Sequence, residues 1–475
     1  MSGLRLGYGT NGFASHRLDD ALDVIAGLGY DGVALTLDHA HLDPFAADLP
    51  GRTSAVAARL GRLGLGVVVE TGARYLLDPW RKHQPTLLSA EPVARVDFLR
   101  RAVRVAADLG AECVSFWSGV KEPGLADETA WQRLRDGVSA VLEEATERGV
   151  RLALEPEPGH FVQHLDQALR LRHDLGSPEL LGITLDVGHC VAVEPVDAAE
   201  CVRRAGALLF NVQLDDMLPG VHEHLEFGAG ELDLTATLAA LTGIGYTGLA
   251  AVELPRHSHA APEVARRSLA ALRAAEWTGD AERRIAADPA SVRTLFPAAG
   301  RKAGRAPLHP ETDPQGLVHG TRDDEARGRL LAALARALPP EDLAKEVGEL
   351  YRYGDGAERR GVLRNLHRLP TGDPEYSVVR DTGLRLVEDA LRANDTGLVA
   401  AALGPFAAAH LDAHSWRHGV LKCLFVGVPV AAVAGLAERT DDELVRMVTD
   451  YVAERKAAGR DVPPDADAIL QEAGQ

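Results

Sequence analysis

A (β/α)8 barrel followed by a separate all-α domain is the fold that this 475-residue sequence predicts. Eight short apolar, β-branched-rich runs alternate with longer amphipathic stretches through the first 275 or so residues, and after Asp324 no strand pattern recurs. The length points the same way, because single cores stop growing at about 250 to 300 residues. The strand candidates are residues 4–8, 32–37, 66–70, 112–117, 151–155, 182–186, 209–214 and 249–254. Between them lie helical patterns: residues 93–109 place Val96, Leu99, Val103 and Ala106 at three-to-four spacing, and residues 131–148 end at Gly149. Regular β-then-α repetition implies a parallel sheet, and eight units in about 250 residues favour closure over an open, doubly wound sheet. No GxGxxG follows the first strand, which weakens a dinucleotide-binding alternative.

The rhythm stops after Trp277. Residues 278 to about 300 are expected to be a helical extension, and 303–325 (AGRAPLHPETDPQGLVHGTRDDE), rich in Pro, Gly and charge, a linker. The expected domains are therefore 1–277 for the barrel, 278–324 for extension and linker, and 325–475 for the helical domain. Helical segments near 326–338, 341–351, 357–369, 378–393, 398–409, 414–425 and 442–458 follow one another, divided by Pro and Gly.

Composition excludes several classes. Hydrophobic residues make up 46% and charged residues 25%, and no run of some 18 apolar residues or basic-plus-apolar leader opens the chain, so a cytoplasmic protein without a membrane span is expected. Lysine and arginine number 51 against 69 acids, a formal charge of −18 that repels phosphate backbones and makes nucleic acid a poor partner. Cys113, Cys190, Cys201 and Cys423 lie far apart without CxxC spacing, so neither disulfides nor a cysteine-rich zinc site is expected.

Four oxygen donors sit at the ends of the last four strand candidates: Glu155 in LALEPEPG, Asp186 in ITLDVGHC, Gln213 in NVQLDD and Glu253 in AAVELPR. Their separations are 31, 27 and 40 residues. One βα unit takes about 30 residues, so this spacing delivers one group per unit to the same rim. Three carboxylates brought together repel one another and call for a cation, although a single strand-end acid can equally bind a helix N-terminus. An all-oxygen set suits Mg²⁺ or Mn²⁺ better than Zn²⁺.

The segments LALEPEPGH, LDVGHC, NVQLDDMLPGVHEHLEFGAGELD and VELPR resemble the metal-site motifs of the xylose-isomerase-like barrel superfamily, over roughly residues 1 to 275. That superfamily includes hydroxypyruvate isomerases, ketose epimerases and inosose-processing enzymes. The resemblance implies that Glu155, Asp186, Gln213 and Glu253 are metal ligands, that Glu155 and Glu253 double as the acid/base pair, and that His189 contacts substrate. Many members have histidine where this chain has Gln213, and glutamine resembles the hydroxypyruvate-isomerase branch. The expected chemistry is proton transfer beside a carbonyl through an enediolate, giving epimerisation or an aldose–ketose shift of a small sugar, cyclitol or hydroxy-carbonyl compound.

Other residues reach the same rim. His222 and His224 occupy the loop after strand seven, and FGAGE at 227–231 offers glycine amides to a phosphate or merely makes a tight turn. Trp117 in SFWSG presents a flat face for a sugar ring, and Arg81, Lys82 and His83 supply donors for hydroxyl, carboxylate or phosphate; the bland readings are core packing and a solvated basic turn.

Residues 414–460, HSWRHGVLKCLFVGVPVAAVAGLAERTDDELVRMVTDYVAERKAAGR, resemble the EboA-domain family, whose members belong to clusters linked to metabolite biosynthesis and traffic. Within them Trp416, Val420, Leu421, Leu424 and Phe425 have helical spacing, read as core. This half is expected to dock a protein partner. The expected function is thus a metal-dependent isomerase or epimerase in a specialised metabolite pathway, with a non-catalytic metabolite-binding or traffic protein as the alternative.

Overall fold

The computed structural model describes residues 3–472. In chain order the strands are β1 (Arg5–Gly9), β2 (Gly32–Thr36), β3 (Gly66–Glu70), β4 (Val114–Trp117), β5 (Leu152–Glu155), β6 (Leu181–Asp186), β7 (Leu209–Leu214), β8 (Asp216–Leu218), β9 (Val221–Leu225) and β10 (Leu249–Val252). Eight of them close into a parallel barrel in the order β1, β10, β7, β6, β5, β4, β3, β2, while β8 and β9 form an antiparallel hairpin. That hairpin is not among the strand candidates, because VHEHL carries His222, Glu223 and His224 between two apolar ends and shows no apolar run. It also extends the last strand candidate too far: β10 stops at Val252, and Glu253 follows it with its amide still donating to Leu214 O at 3.0 Å. Helices return the chain between strands, and Gly149 ends the helix Asp127–Arg148 in the left-handed conformation at φ 65°.

Two-residue alternation along the strands sorts the barrel interior into layers. Ala34, Val68, Cys113, Ala153 and Ala251 form an apolar plug with Leu249. Two residues further on, the same strands place Thr36, Glu70, Ser115, Glu155 and Glu253. Register holds these together, with Thr36 beside Glu70, Glu70 beside Ser115, and Asp186 beside Gln213. The dry plug is therefore capped by a polar layer at the C-terminal ends of the strands, where barrels build their sites.

Asp216, wholly buried, organises the segment after the hairpin: its carboxylate accepts the amides of Gly228 at 2.8 Å, Gly230 at 3.0 Å and Leu232 at 2.9 Å. A Cβ at residue 230 would stand 2.3 Å from Met217 O, so only glycine fits. The glycine amides of FGAGE are thus spent on an internal carboxylate, which makes this stretch a turn.

The chain divides between Glu276 and Trp277 into two compact units. Among the described residues the second is built of helices and their connections, with a core that includes Leu330, Leu334, Val362 and the fully buried Trp416. Residues 278–302, read from sequence as an extension, contribute Ala281, Ile285, Val292 and Phe296 to that core. The stretch read as a linker is held by Asp313, whose carboxylate accepts the amides of Leu317, Val318 and His319, and it ends in a capping box between Thr321 and Asp324. No helix among the described residues is long and apolar enough to cross a membrane.

Asp216→Ala removes four charge-assisted hydrogen bonds, from the amides of Met217, Gly228, Gly230 and Leu232, so it is expected to cost about 2–4 kcal/mol of unfolding free energy. Urea unfolding of the two proteins measures this, and a loss below about 0.5 kcal/mol would show that the turn holds itself.

Candidate active site

The polar layer opens into a cavity of about 510 Å³. All of Glu155, Gln213, Glu253, His189, His222, His83 and Trp117 line it. Asp186 lies just beneath its wall, wholly buried, with Oδ2 3.8 Å from His189 Nε2. The expected metal, acid/base and substrate-contacting residues are therefore gathered in one place, whereas Arg81, expected as a further donor, does not line the cavity and pairs with Asp78.

Each strand end fixes its side chain by a specific contact. Asp186 caps the helix Val187–Val193, Oδ1 accepting the His189 amide at 3.0 Å, while Oδ2 is buried without a hydrogen-bond partner. Gln213 Oε1 is likewise buried and unpartnered. Glu253 accepts from Asn11 Nδ2 at 2.9 Å, and Glu155 from Ser115 Oγ at 3.4 Å. Below them Thr184 Oγ1 donates to Ser115 Oγ at 2.8 Å and Asn211 Nδ2 to Glu70 at 2.9 Å.

Sequence reading missed Glu70 and Glu157, which also line the cavity. Both had a signal. Glu70 ends GVVVE as Glu253 ends its own apolar run, and Glu157 stands two residues past Glu155. Burial, then the charge of Glu253, pushes Glu70 up to about 8, and the same two causes push Glu157 up to about 8. Burial and the neighbouring acids Glu157, Glu253, Glu70 and Asp186 raise Glu155 well above the ordinary carboxylate range. Asp186 runs the other way: burial would raise it, but His189 and His224 hold it below its usual value.

The histidines divide by role. Burial holds His189 down to about 4 against the pull of Asp186. Its Nδ1 faces Pro156 O at 3.2 Å and its Nε2 faces His222 Nε2 at 3.1 Å, which assigns the proton on Nδ1 to the carbonyl and turns the Nε2 lone pair toward the site. Burial works against a charge on His224 too, yet its hydrogen bond to Asp215 and the charges of Asp215, Glu253 and Asp186 hold it up to about 10. His222 and His224, two apart on β9, reach the same side by strand alternation. Asp215 had been read only as part of NVQLDD. As the partner of His224 it makes a hydrogen-bonded histidine–acid pair, in which burial and the charge of Asp186 raise the Asp215 carboxyl well above its ordinary range.

On the other wall, Trp117 meets His83 and His160 edge-on, with ring centres 5.3 and 5.0 Å away, and the guanidinium of Arg95 lies 4.4 Å above its ring. Trp117 is only 8% exposed, so packing and cavity lining are both served by one residue. His83 is held down to about 4, by burial first and then by the charge of Lys82.

Carboxyl and imidazole atoms of Glu155, Asp186 and His189 lie within 4.8 Å of one another, as do those of Asp186, Asp215 and His224, and of His189, His222 and His224. Orphaned acceptors on Asp186 and Gln213 beside crowded carboxylates are what a divalent cation satisfies. The residues fit such an ion.

A family model described as xylose isomerase-like TIM barrel matches residues 22–275, and one described as metabolite traffic protein EboA matches residues 319–470. L-ribulose-5-phosphate 3-epimerase UlaE of Salmonella paratyphi C is 26% identical over 237 residues, covering 48% of this chain and 78% of its own. UlaE of Escherichia coli K12 is 25% identical over 241 residues, covering 50% and 81%. Among solved structures, L-ribulose 3-epimerase aligns with a TM-score of 0.48 and 20% identity over 59% of this chain and 97% of that one. The 3-keto-D-glucoside 4-epimerase YcjR from E. coli aligns with a TM-score of 0.47 and 18% identity over 57% and 99%.

A carboxyl raised in the folded state keeps its proton where the unfolded chain has lost it. Between about pH 4.5 and about pH 8 the folded form therefore binds more protons through Glu70 and Glu157, and stability falls as pH rises. Chelator-treated protein is expected to melt lower at about pH 8 than at about pH 6, and added Mn²⁺ to raise the melting temperature more at the higher pH, because the ion replaces those protons. Calorimetric scans check both, and melting indifferent to Mn²⁺ at either pH would contradict a cation site.

Proposed function

Because this chain belongs to the xylose isomerase-like TIM barrel family, we propose that its barrel is a sugar isomerase or epimerase dependent on a divalent ion. The observation that carries this reading is the convergence of Glu155, Gln213 and Glu253 on one polar cavity with Asp186 just beneath its wall, Asp186 and Gln213 each keeping an orphaned acceptor. These four residues would hold the ion. Mg²⁺ and Mn²⁺ both suit the oxygen donors, and the nearness of the His189 imidazole favours Mn²⁺. Bound there, it would polarise a substrate carbonyl and offset negative charge on the adjacent oxygens.

The chain's own groups move the proton. Glu155 on β5 and Glu253 after β10 are separated around the wall by β6 and β7, so they address a bound sugar from different sides. One removes the proton beside the carbonyl, and the other returns it to the opposite face to complete an epimerisation. Burial raises the proton affinity of both above that of an ordinary carboxylate, which suits them to giving as well as taking a proton. Glu157 and His189 hold hydroxyls, while Trp117 packs against the ring. The UlaE relatives, epimerases of L-ribulose 5-phosphate, support a ketose or a similar hydroxy-carbonyl compound such as a cyclitol ketone.

The EboA domain supports a place in specialised metabolism, with the helical half docking a protein partner that supplies or takes the metabolite. Four unpaired, buried cysteines fit a reducing compartment such as the cytoplasm. The description of EboA as a traffic protein also favours a second reading, in which the barrel binds and hands on a sugar without turning it over.

Deuterium exchange from D₂O into the carbon beside the carbonyl separates the two readings, since binding alone cannot exchange a carbon-bound proton. With Mn²⁺ and a panel of ketoses, inososes and hydroxypyruvate, exchange is expected, and Glu155→Gln and Glu253→Gln are expected to reduce it at least 100-fold (about 10²) while still binding Mn²⁺. Near-normal exchange in either variant would sink the acid/base assignment.

A further inference from the structure

The cavity holds two positive charges that the proposed proton transfer does not use. Arg74 and Lys82 both line it, Arg74 half-buried and Lys82 at its solvent edge. Other cations nearby are committed to protein partners: Arg256 pairs with Glu223, Arg81 with Asp78, and Arg95 with backbone carbonyls. Neither Arg74 nor Lys82 makes an ion pair or a side-chain hydrogen bond among the described residues, so no carboxylate comes within 4.0 Å of either. They nevertheless act on the site, Arg74 through its charge on Glu253 and Lys82 through its charge on Glu157. In a chain with 69 acids against 51 bases, two cations stand unpaired beside a carboxylate-rich cavity.

The segment that presents them is held at a cost. Four residues other than glycine have a positive φ among the described residues, and three are here: Ala73 at 58°, Arg74 at 35° and His83 at 66°. Such conformations persist where surroundings over-determine them. Arg95, wholly buried, does so by donating to His83 O at 2.8 Å, Pro85 O at 2.9 Å and Thr71 O at 3.5 Å, and His83 Nδ1 bonds Gly72 O across the same loop. The loop is therefore anchored at both ends of the stretch that carries Arg74 and Lys82, so the two charges are placed before any ligand arrives.

We propose that the loop at residues 71–84 forms an anion subsite of this cavity, in which Arg74 and Lys82 hold the phosphate or carboxylate of an acidic sugar-like substrate. The proposal rests on the reading of the cavity as a sugar site and narrows the substrate to an anionic one. The guanidinium fork of Arg74 matches two oxygens of either anion, and Lys82 adds a point charge at the open edge. Selection for an anion follows from the charge distribution: a neutral sugar leaves both cations uncompensated, whereas an anionic one pairs them while its carbonyl end meets the carboxylate wall.

Calorimetric titration of the full-length, EDTA-treated protein with orthophosphate and with malonate tests this without turnover and without a metal to coordinate the anion. Binding at about millimolar dissociation constant is expected for at least one, weakened about tenfold or more in Arg74→Asn and in Lys82→Met. Asparagine tolerates the positive φ at residue 74, and unchanged melting temperatures confirm folding. Arg81→Met, on the same loop but already paired, is the control and should bind like the parent. Preference for orthophosphate identifies a phosphate ester, and preference for malonate a carboxylate. Absent binding of both anions, or binding equally strong in parent and both variants, overturns the subsite. Anion binding that depends on Arg74 and Lys82 without deuterium exchange in any sugar would keep the subsite and remove the isomerase reading; exchange without such binding would do the reverse.

Discussion

Repulsion among buried carboxylates governs this barrel. Glu70, Glu155, Glu157, Asp186 and Glu253 come from four strands to one rim, Glu70, Glu155 and Asp186 buried and Glu157 and Glu253 half-buried, and neighbouring carboxylates raise the proton affinity of Glu70, Glu155, Glu157 and Glu253. Like charges so placed are tolerated only as protonated acids or around a cation. The fold forces the encounter, because strand alternation puts Glu70 two residues above Val68, Glu155 two above Ala153 and Glu253 two above Ala251, all inside a closed cylinder.

The surrounding structure is built to manage that charge. The hairpin β8–β9 brings His222 and His224 over the rim, and the hydrogen bond to Asp215 together with the charges of Asp215, Glu253 and Asp186 raises the proton affinity of His224 beside those acids. Asp216 in turn fixes the chain just beyond the hairpin by accepting the amides of Gly228, Gly230 and Leu232 as well as that of Met217. Across the cavity, Arg95 stacks on Trp117 and ties down the loop after β3, so that one buried guanidinium orders both the aromatic wall and the loop's basic side chains. Acid chemistry lies on one side and basic recognition on the other.

Much of this was legible in the sequence, and the gaps have physical reasons. Strand ends at Glu155, Asp186 and Gln213 carry a polar residue after an apolar run, and regular unit spacing announces that they share a rim. Glu70 carries the same mark in GVVVE, but its unit lies far from the other four in sequence, outside their run of consecutive units. Asn11 and Asp215 had no such mark, since their roles come from a loop's path or from a partner brought by β9, and Glu157 had only its nearness to Glu155. The hairpin was illegible because VHEHL alternates polar and charged residues on a surface that faces a cavity instead of a core. Residues 278–302 read as an appendage because their apolar positions find partners only in helices 30 or more residues away, such as Phe296 against Arg327.

The central claim is that the carboxylate rim is a cation site, with isomerisation and anion recognition arranged around it. Metal analysis after dialysis against Mn²⁺ at mildly alkaline pH measures that claim directly. The account predicts a single tightly held ion per chain, lost when Asp186, the acid held below its usual proton affinity, is changed to Ala. An absence of bound ion, or an equal amount in Asp186→Ala, would contradict it.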